Sequence, residues 1–260
     1  MASKTDRRAK EILRLLLNRG KLSVEELTAI FSTSPASVRR DLMRLEEKGL
    51  VHRTHGGAML AQQKYEPFRF DAAFTVREQR FAQEKHRIAV AAADLIQQGE
   101  TIGFTAGTTT TQVARLLHKF SGLHIVTNAV NIALELGVNL KVDTLLTGGC
   151  IRWPGAFSLV GPAAIESLES VVLDKLFLGT CGVHMQHGAT TIEADEAAVF
   201  RAMCRRAKEV IVVADSSKIG FASPAVICPL RDIDILITDD GISDETVSLF
   251  RSSHVQVVVV

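Results

Sequence analysis

Between residues 10 and 58 the apolar positions form two stripes at helical spacing and then a short extended run. Ile12, Leu13, Leu16 and Leu17 make the first stripe, the pattern of a helix with one buried side, and Gly20 ends it. Ser23 and Glu26 stand as S-x-x-E, a capping box that opens a second short helix through Phe31. After the break Ser32-Thr33-Ser34, Ser34 as N-cap and Pro35 in the first turn open a third helix, with Gly49 just past its end. Within it Val38, Leu42 and Leu45 fall at i, i+4 and i+7. At about 100° per residue, Ala36, Ser37, Arg40 and Arg44 lie opposite that stripe and Arg39 on its flank. Leu50 to Arg53 can then extend into a strand, and His55-Gly56-Gly57-Ala58 has the form of a wing tip whose two glycines let backbone approach a phosphate. Helix, tight turn, helix and wing, in that order, predict a winged helix-turn-helix.

Farther on the pattern changes to apolar strands separated by helices. Lys85 to Ile96 is amphipathic, with Ile88, Ala92 and Leu95 on one side, and Gly99 closes it. Strands are expected at 101–104, 124–127, 142–147, 175–180, 210–214, 233–238 and 255–259, and helices notably at 194–207 and 244–250. Near-continuous apolar strands alternating with helices predict an α/β domain, Rossmann-like, with a largely parallel sheet buried on both faces. Residues 62–67 lack periodicity, and Pro67 discourages helix before it. Phe68, Phe70, Phe74 and Phe81 are expected to anchor the connector that follows. The division is therefore 1–58 for the helix-turn-helix, 59–83 for a linker and 84–260 for the α/β domain. No repeat or low-complexity segment is visible.

Charge changes the picture. The chain of 260 residues has a formal net charge of +1, but residues 1–57 hold 12 Lys and Arg against 7 Asp and Glu, and the remainder 18 against 22. A basic head on a mildly acidic body suits phosphate contacts whose strength falls with salt. Ser34, Ser37, Arg39, Arg40 and Arg44 on the third helix, with Arg53 and His55 on the wing, are the candidate contacts to double-stranded operator DNA. A solvated basic face is the plain alternative, and the surrounding cap, turn and wing favour DNA over it.

In a parallel sheet, ligands sit beyond the carboxyl ends of the strands, and polar small-residue clusters fall there. Ala106-Gly107-Thr108-Thr109-Thr110 follows one strand and opens a helix, offering amides, hydroxyls and a helix dipole to an anion. Thr127-Asn128, Thr147-Gly148-Gly149, Gly179-Thr180-Cys181-Gly182 and Asp215-Ser216-Ser217-Lys218 end four others. Any one of these could be an ordinary turn; five together predict a small-molecule pocket, with Lys218 adding a point charge for a phosphate.

Certain classes are disfavoured. Cys150, Cys181, Cys204 and Cys228 are isolated in sequence and match no metal spacing, so neither a metal nor a cofactor is expected. No run of about 18 apolar residues is present, and the N-terminus M-A-S-K-T-D-R-R lacks an apolar signal core. The expectation is a globular, cytoplasmic protein without a membrane partner. No G-x-S-x-G elbow supports a hydrolase. His184 and His187 lie three apart without a third ligand and are expected near the pocket rim.

The segments L-S-V-E-E-L at 22–27, S-V-R-R-D-L at 37–42 and G-L-V-H-R-T-H-G-G-A at 49–58 resemble the helix-turn-helix of the DeoR family of bacterial transcription regulators. E-K-H-R-I-A at 84–89, G-T-T-T at 107–110, V-T-N at 126–128, Gly148-Gly149 and A-D-S-S-K-I-G at 214–220 resemble that family's effector domain. The resemblance implies operator DNA, a homo-oligomer (dimer or tetramer), and a phosphorylated sugar as inducer, its phosphate at Gly107–Thr110 with Lys218 nearby. Thr105-Ala106 depart from the family, which usually has Ser preceded by Asp or Glu. The effector domain is related to ribose-5-phosphate isomerase, so a residual isomerase is the rival reading. Glu193 matches the isomerase base by rough alignment, but Gly179–Gly182 brings no carboxylate where those enzymes have an acidic loop. Glu193 is then a sugar-hydroxyl acceptor or an ion-paired surface residue. Trp153, the only tryptophan, fits core, lid or subunit contact equally.

Overall fold

The computed structural model describes residues 8, 11–12, 15–16, 21–47, 51–54, 56–60, 74–137, 139, 141–152 and 157–260. The chain divides into two units, Met1–Asp71 and Ala72–Val260.

In the first unit, Arg8, Glu11, Ile12, Leu15 and Leu16 are helical. Then follow β1 (Lys21–Ser23), α1 (Val24–Phe31), α2 (Pro35–Glu47), β2 (Val51–Thr54) and β3 (Gly57–Leu60). The capping box closes as its sequence predicts: the Glu26 amide donates to Ser23 Oγ at 3.0 Å and the Ser23 amide to Glu26 Oε2 at 2.7 Å. Ser32, with φ +46°, ends α1 in a left-handed turn whose amide returns to Thr28 and Ala29 carbonyls. Ile12, Leu16, Leu22, Leu27, Val38, Leu42, Leu45, Val51 and Ala58 form one buried core, so the i, i+4, i+7 stripe of α2 packs as read.

The strand β1 was not foreseen, and it changes the reason for one glycine. The sheet order is β1-β3-β2, antiparallel throughout, with Ser23 opposite Gly57. A Cβ at Gly57 would stand 2.0 Å from the Leu22 carbonyl oxygen, whereas one at Gly56 meets nothing within 4 Å. Gly57 is thus demanded by the neighbouring strand.

The second unit opens with α3 (Phe74–Gln79) and α4 (Ala82–Ala93). There follow β4 (Thr101–Phe104), α5 (Thr108–Arg115), β5 (Leu123–Thr127), α6 (Val130–Leu136) and β6 (Val142–Leu146). A hairpin of β7 (Cys150–Arg152) and β8 (Ser158–Val160) precedes α7 (Pro162–Glu166) and β9 (Leu173–Leu178). The chain continues through β10 (Gly182–His184), β11 (Gly188–Thr191), α8 (Ala194–Cys204), β12 (Ala207–Val213) and β13 (Ala225–Cys228). It ends with β14 (Ile235–Thr238), α9 (Asp244–Ser252) and β15 (Gln256–Val259).

Seven strands form one sheet in the order β15-β14-β12-β9-β4-β5-β6, and every pairing is parallel. These are the seven strands the apolar runs predict. The central strands alternate between two buried faces, while the edge strands β6 and β15 leave Leu145, Leu146 and Val259 exposed. Phe177, Ile211 and Val213 join Ile88, Phe104 and Val113 on one side; Leu176, Leu178, Val210 and Val212 join Phe200 and Phe250 on the other. This double burial is why the strands read as continuous apolar runs. The chain builds outward from β4 through β5 and β6, then restarts at β9 and builds the other way. The crevice beyond the carboxyl ends of β4 and β9 is therefore the topological switch point, where such sheets bind ligands.

Two features escaped the sequence reading: the β7–β8 hairpin and a small antiparallel sheet, β10-β11-β13. Strands of three or four residues carry too little periodicity to register. The expectation for Phe81 also fails. It is exposed, with φ +53° ahead of α4, while Phe74 is buried against the edge of the Phe157 ring at 5.3 Å. Phe68 and Phe70 lie outside the described residues, as does Trp153.

Candidate nucleic-acid interface and ligand crevice

Helix α2 presents Arg39, Arg40 and Arg44 to solvent while Val38, Leu42 and Leu45 are buried. Among the described residues no ion pair engages these three guanidinium groups. Ser34 caps the helix, its Oγ accepting from the Ser37 amide at 3.3 Å and lying 3.0 Å from Ser37 Oγ. That bond fixes the first turn, so Ser34 shapes the face as well as lying on it. On the wing, the Arg53 amide donates to Glu46 Oε1 at 2.9 Å and its guanidinium stands 3.7 Å from Glu46 Oε2. Glu46 thus fastens β2 to α2 and aligns Arg53 with the helix. His55 lies outside the described residues.

Asp41, which the sequence reading left without a role, is 2% exposed and holds Arg8 Nε at 2.5 Å. The recognition helix is therefore tied by a buried charge to the first helix. The signal was available: Asp41 lies beside Leu42 on the apolar side of the α2 wheel, where an unpaired carboxylate is untenable.

In the body, the five polar clusters follow β6, β5, β4, β9 and β12, five adjacent parallel strands, so all lie on one edge of the sheet. Hydrogen bonds draw the central ones together. Thr105 Oγ1 accepts from the Gly179 amide at 2.8 Å, bridging the switch point. The Ala106 amide donates to Asn128 Oδ1 at 3.0 Å, and Asn128 Nδ2 donates to the Leu159 carbonyl. A Cβ on Gly107 would meet Thr110 Oγ1 at 3.0 Å and the Gly179 Cα at 3.7 Å. The departure at Thr105 from the family pattern thus has a structural task, clamping β4 to β9.

The threonines divide by duty. Thr110 Oγ1 donates to the Thr105 and Gly107 carbonyls, Thr111 Oγ1 to the Gly107 carbonyl, and Thr127 Oγ1 to the Phe104 carbonyl while accepting from the Ala129 amide. Those hydroxyls shape the loop. Among the described residues no hydrogen bond engages the Thr108 and Thr109 hydroxyls, which leaves them and the first-turn amides of α5 to meet an anion.

The flanking clusters differ. Gly148 and Gly149 are exposed, and the Gly148 amide donates to Ser167 Oγ at 2.9 Å. Gly182 is buried in β10, where a Cβ would lie 2.5 Å from the Phe221 carbonyl oxygen; its smallness serves packing of that strand. Glu193 is exposed at the start of α8, its carboxylate 2.9 Å from Arg152. Arg152 also lies 3.4 Å from Glu196, which is buried and accepts from Ser158 at 2.7 Å. His184 and His187 stack at 5.0 Å between centroids.

Asp215 and Lys218 occupy the turn after β12. Asp239 holds that turn, accepting the Ser216 amide at 2.6 Å and the Gly241 amide at 3.0 Å. Burial alone would raise the Asp239 carboxyl; these donors outweigh it and keep the pKa below the ordinary value.

Lys85 is the residue the sequence reading missed. It sits on the buried side of α4 three residues before Ile88 and is 4% exposed. Its Nζ donates to the main-chain oxygens of Arg77 and Arg80. Burial pushes it down to about 8, against the pull of Asp215 and with the push of Lys218, Arg77 and Arg80. Its spacing from Ile88 and Ala92 was legible, but a lysine there reads as a solvated flank until tertiary structure closes over it.

A separate cleft of about 470 Å³ opens at the opposite edge, lined by Arg201, Arg205, Cys204, Cys228, Asp232 and Asp234 among others. The neighbouring Cys228 and burial keep the Cys204 thiol well above its ordinary pKa, so Cys204 stays protonated and poorly nucleophilic. Among the described residues no group of three or more His, Cys, Asp or Glu could hold a metal, and no helix is long and apolar enough to cross a membrane.

Residues 8–64 match the DeoR-like helix-turn-helix domain, and residues 80–240 match the DeoR C terminal sensor domain. The chain is 35% identical to the HTH-type transcriptional regulator GlpR of Haloferax volcanii, over 96% of each chain. It is 32% identical to the HTH-type transcriptional regulator GolR of Listeria innocua, over 97% of each. Against the HTH-type transcriptional repressor GlcR of Bacillus subtilis it is 33% identical over 88% of this chain and 86% of the other. Ribose 5-phosphate isomerase A from Methanocaldococcus jannaschii matches at 16% identity and a TM-score of 0.38, covering 54% of this chain and 55% of that one, too distant to carry any chemistry across. With both family domains in order, and relatives aligned along nearly their whole length, this chain belongs to the DeoR family of transcription regulators.

Proposed function

We propose that the protein represses an operon for the use of a sugar or sugar derivative, and that a phosphorylated sugar in the body releases it from operator DNA. The observation that carries this reading is the pairing of an exposed Arg39, Arg40 and Arg44 face with a switch-point crevice whose loop leaves Thr108 and Thr109 free to receive an anion. Operator half-sites are gripped by Ser34, Ser37, Arg39, Arg40 and Arg44 and, from the wing, by Arg53 and His55. The domains act as 1–58, 59–83 and 84–260, in the cytoplasm, as a homo-oligomer whose paired heads meet paired half-sites.

The effector phosphate sits at Ala106–Thr110 with Lys218 nearby, and Thr127, Asn128, Gly148, Gly149, Gly179, Gly182, Glu193 and Asp215 complete the crevice. For release, the effector must bind the DNA-incompetent arrangement more tightly, since equal affinity shifts nothing. The protein turns nothing over: Glu193 is engaged by Arg152, and Gly179–Gly182 brings no carboxylate partner for proton transfer.

Anisotropy of labelled DNA from upstream of the protein's own operon, with and without a panel of sugar phosphates, tests this. Tight, salt-sensitive binding released by one phosphosugar is expected. Tight binding that no sugar phosphate alters would discard the ligand class, and absence of specific binding would discard the regulator reading.

A further inference from the structure

Helix α3 is the first helix described in the body, and several of its ties lead to walls of the crevice. Glu78 pairs with Arg115 at 2.6 Å, and Arg115 is the last residue of α5, whose first turn is the Gly107–Thr110 loop. Phe74 packs on Phe157, one residue ahead of β8, whose Leu159 exchanges bonds with Asn128. At the far end of α3 the Arg77 and Arg80 carbonyls accept from Lys85 Nζ. The charges that act on that ammonium are Asp215 and Lys218 from the turn after β12, with Arg77 and Arg80 themselves. A cation at a helix C-terminus stabilises it through the last carbonyls and the helix dipole.

We propose, resting on the reading of the crevice as a phosphate site, that α3 is its output element and Lys85 the positioning residue that joins them. An anion drawn to Lys218 and the Thr108–Thr109 turn adds negative charge within reach of Lys85, holds its ammonium charged, and tightens its grip on the end of α3. Because burial leaves this lysine poised close to neutral pH, a modest change of field alters its charge, which a surface lysine would not do. Loss or gain of that grip changes the helix that leads the chain into the body.

The test is hydrogen exchange of the full chain with and without inorganic phosphate between pH 7 and 9.5, referenced to unstructured peptide rates. In the wild type at pH 8.5, phosphate protects the first turn of α5 and slows α3 about fivefold, the low end of coupling between sites; the α3 response shrinks as pH falls well below 8, where Lys85 is already charged. In Lys85→Met the α5 response persists while that of α3 drops below about twofold. In Lys85→Arg, permanently charged, α3 is protected with or without phosphate. Glu78→Gln cuts the tie to α5 alone, so resting protection of α3 falls but its pH-dependent response to phosphate remains. An unaltered α3 response in Lys85→Met, or a silent α3 in wild type whose α5 is protected, overturns the proposal. Protection of neither helix overturns the phosphate reading, and the proposal with it.

Discussion

Replacing Asp41 with alanine separates what folds the DNA-binding head from what touches DNA. Asp41 is 2% exposed and its partner Arg8 is 20% exposed, at 2.5 Å. Breaking a buried pair costs about 3–5 kcal/mol because the remaining charge is stranded. Arg8 can partly regain water, so the low end, about 3 kcal/mol, applies. A head of this size holds only about 3–5 kcal/mol in its single core. Asp41→Ala therefore leaves it with about 2 kcal/mol at most. Amide protection in α2, read by hydrogen exchange on the full chain, should fall about a hundredfold. Arg8→Ala should lose a similar amount, and the double variant much less than the sum. Arg40→Ala is the control: an exposed side chain whose loss changes head stability by no more than about 0.5 kcal/mol while abolishing specific operator binding. Protection of α2 in Asp41→Ala within about threefold of wild type would refute the buried-pair argument. Operator affinity unchanged in Arg40→Ala would refute the recognition-helix assignment.

Three further outcomes follow from the geometry. Thr109→Ala should leave operator affinity intact and weaken the effector about tenfold, the worth of one hydrogen bond to a charged group; titration of effector against the preformed DNA complex checks it, and a normal response moves the phosphate elsewhere. Lys85, lowered from 10.5 to about 8, penalises the fold below pH 8, where both states are protonated; between pH 8 and 10.5 the unfolded chain alone binds the proton, so stability rises with pH. The penalty relieved is about 3 kcal/mol, and the stability of wild type relative to Lys85→Met in urea should climb across that window; a flat difference would show that Lys85 does not titrate there. Gly57→Val places side-chain atoms against the Leu22 carbonyl and should open the β1–β3 pairing, seen as loss of amide protection at Lys21–Ser23; retained protection would refute the packing reason for Gly57.

Much of the head was legible because its cap, turn and helix stripe are local, whereas β1 and the Arg8–Asp41 pair join distant segments and were not. A capping box spans four residues, the tight turn Ser32-Thr33-Ser34 three, and the buried stripe Val38, Leu42 and Leu45 two turns of one helix, so short-range physics writes them directly into sequence. The parallel strands were equally plain, because burial on both faces makes the central ones, such as Ile211–Val213 and Ile235–Ile237, continuous apolar runs. Polar clusters such as Gly107–Thr110 interrupt those runs at the same end of five adjacent strands, and that shared edge could be read from sequence.

Roles within that edge were another matter. From sequence, Thr108 to Thr111 are four equivalent hydroxyls; only the fold sets Thr110 and Thr111 to brace Gly107 and leaves those of Thr108 and Thr109 outside that bracing. The short strands β7, β8, β10 and β11 pair as local hairpins too brief to carry a period, and β13 joins β11 only through a distant segment of the chain. Lys85 and Asp41 make the point sharply: each is an ordinary charged residue until distant segments remove its water, and then burial obliges it to find Arg77, Arg80 or Arg8. Sequence by itself determined the elements, their order and the kind of surface each would offer. Tertiary structure decided which side chains lost solvent, which hydroxyls became braces, and which charges had to pair, because desolvation is set by neighbours in space and not by neighbours in the chain.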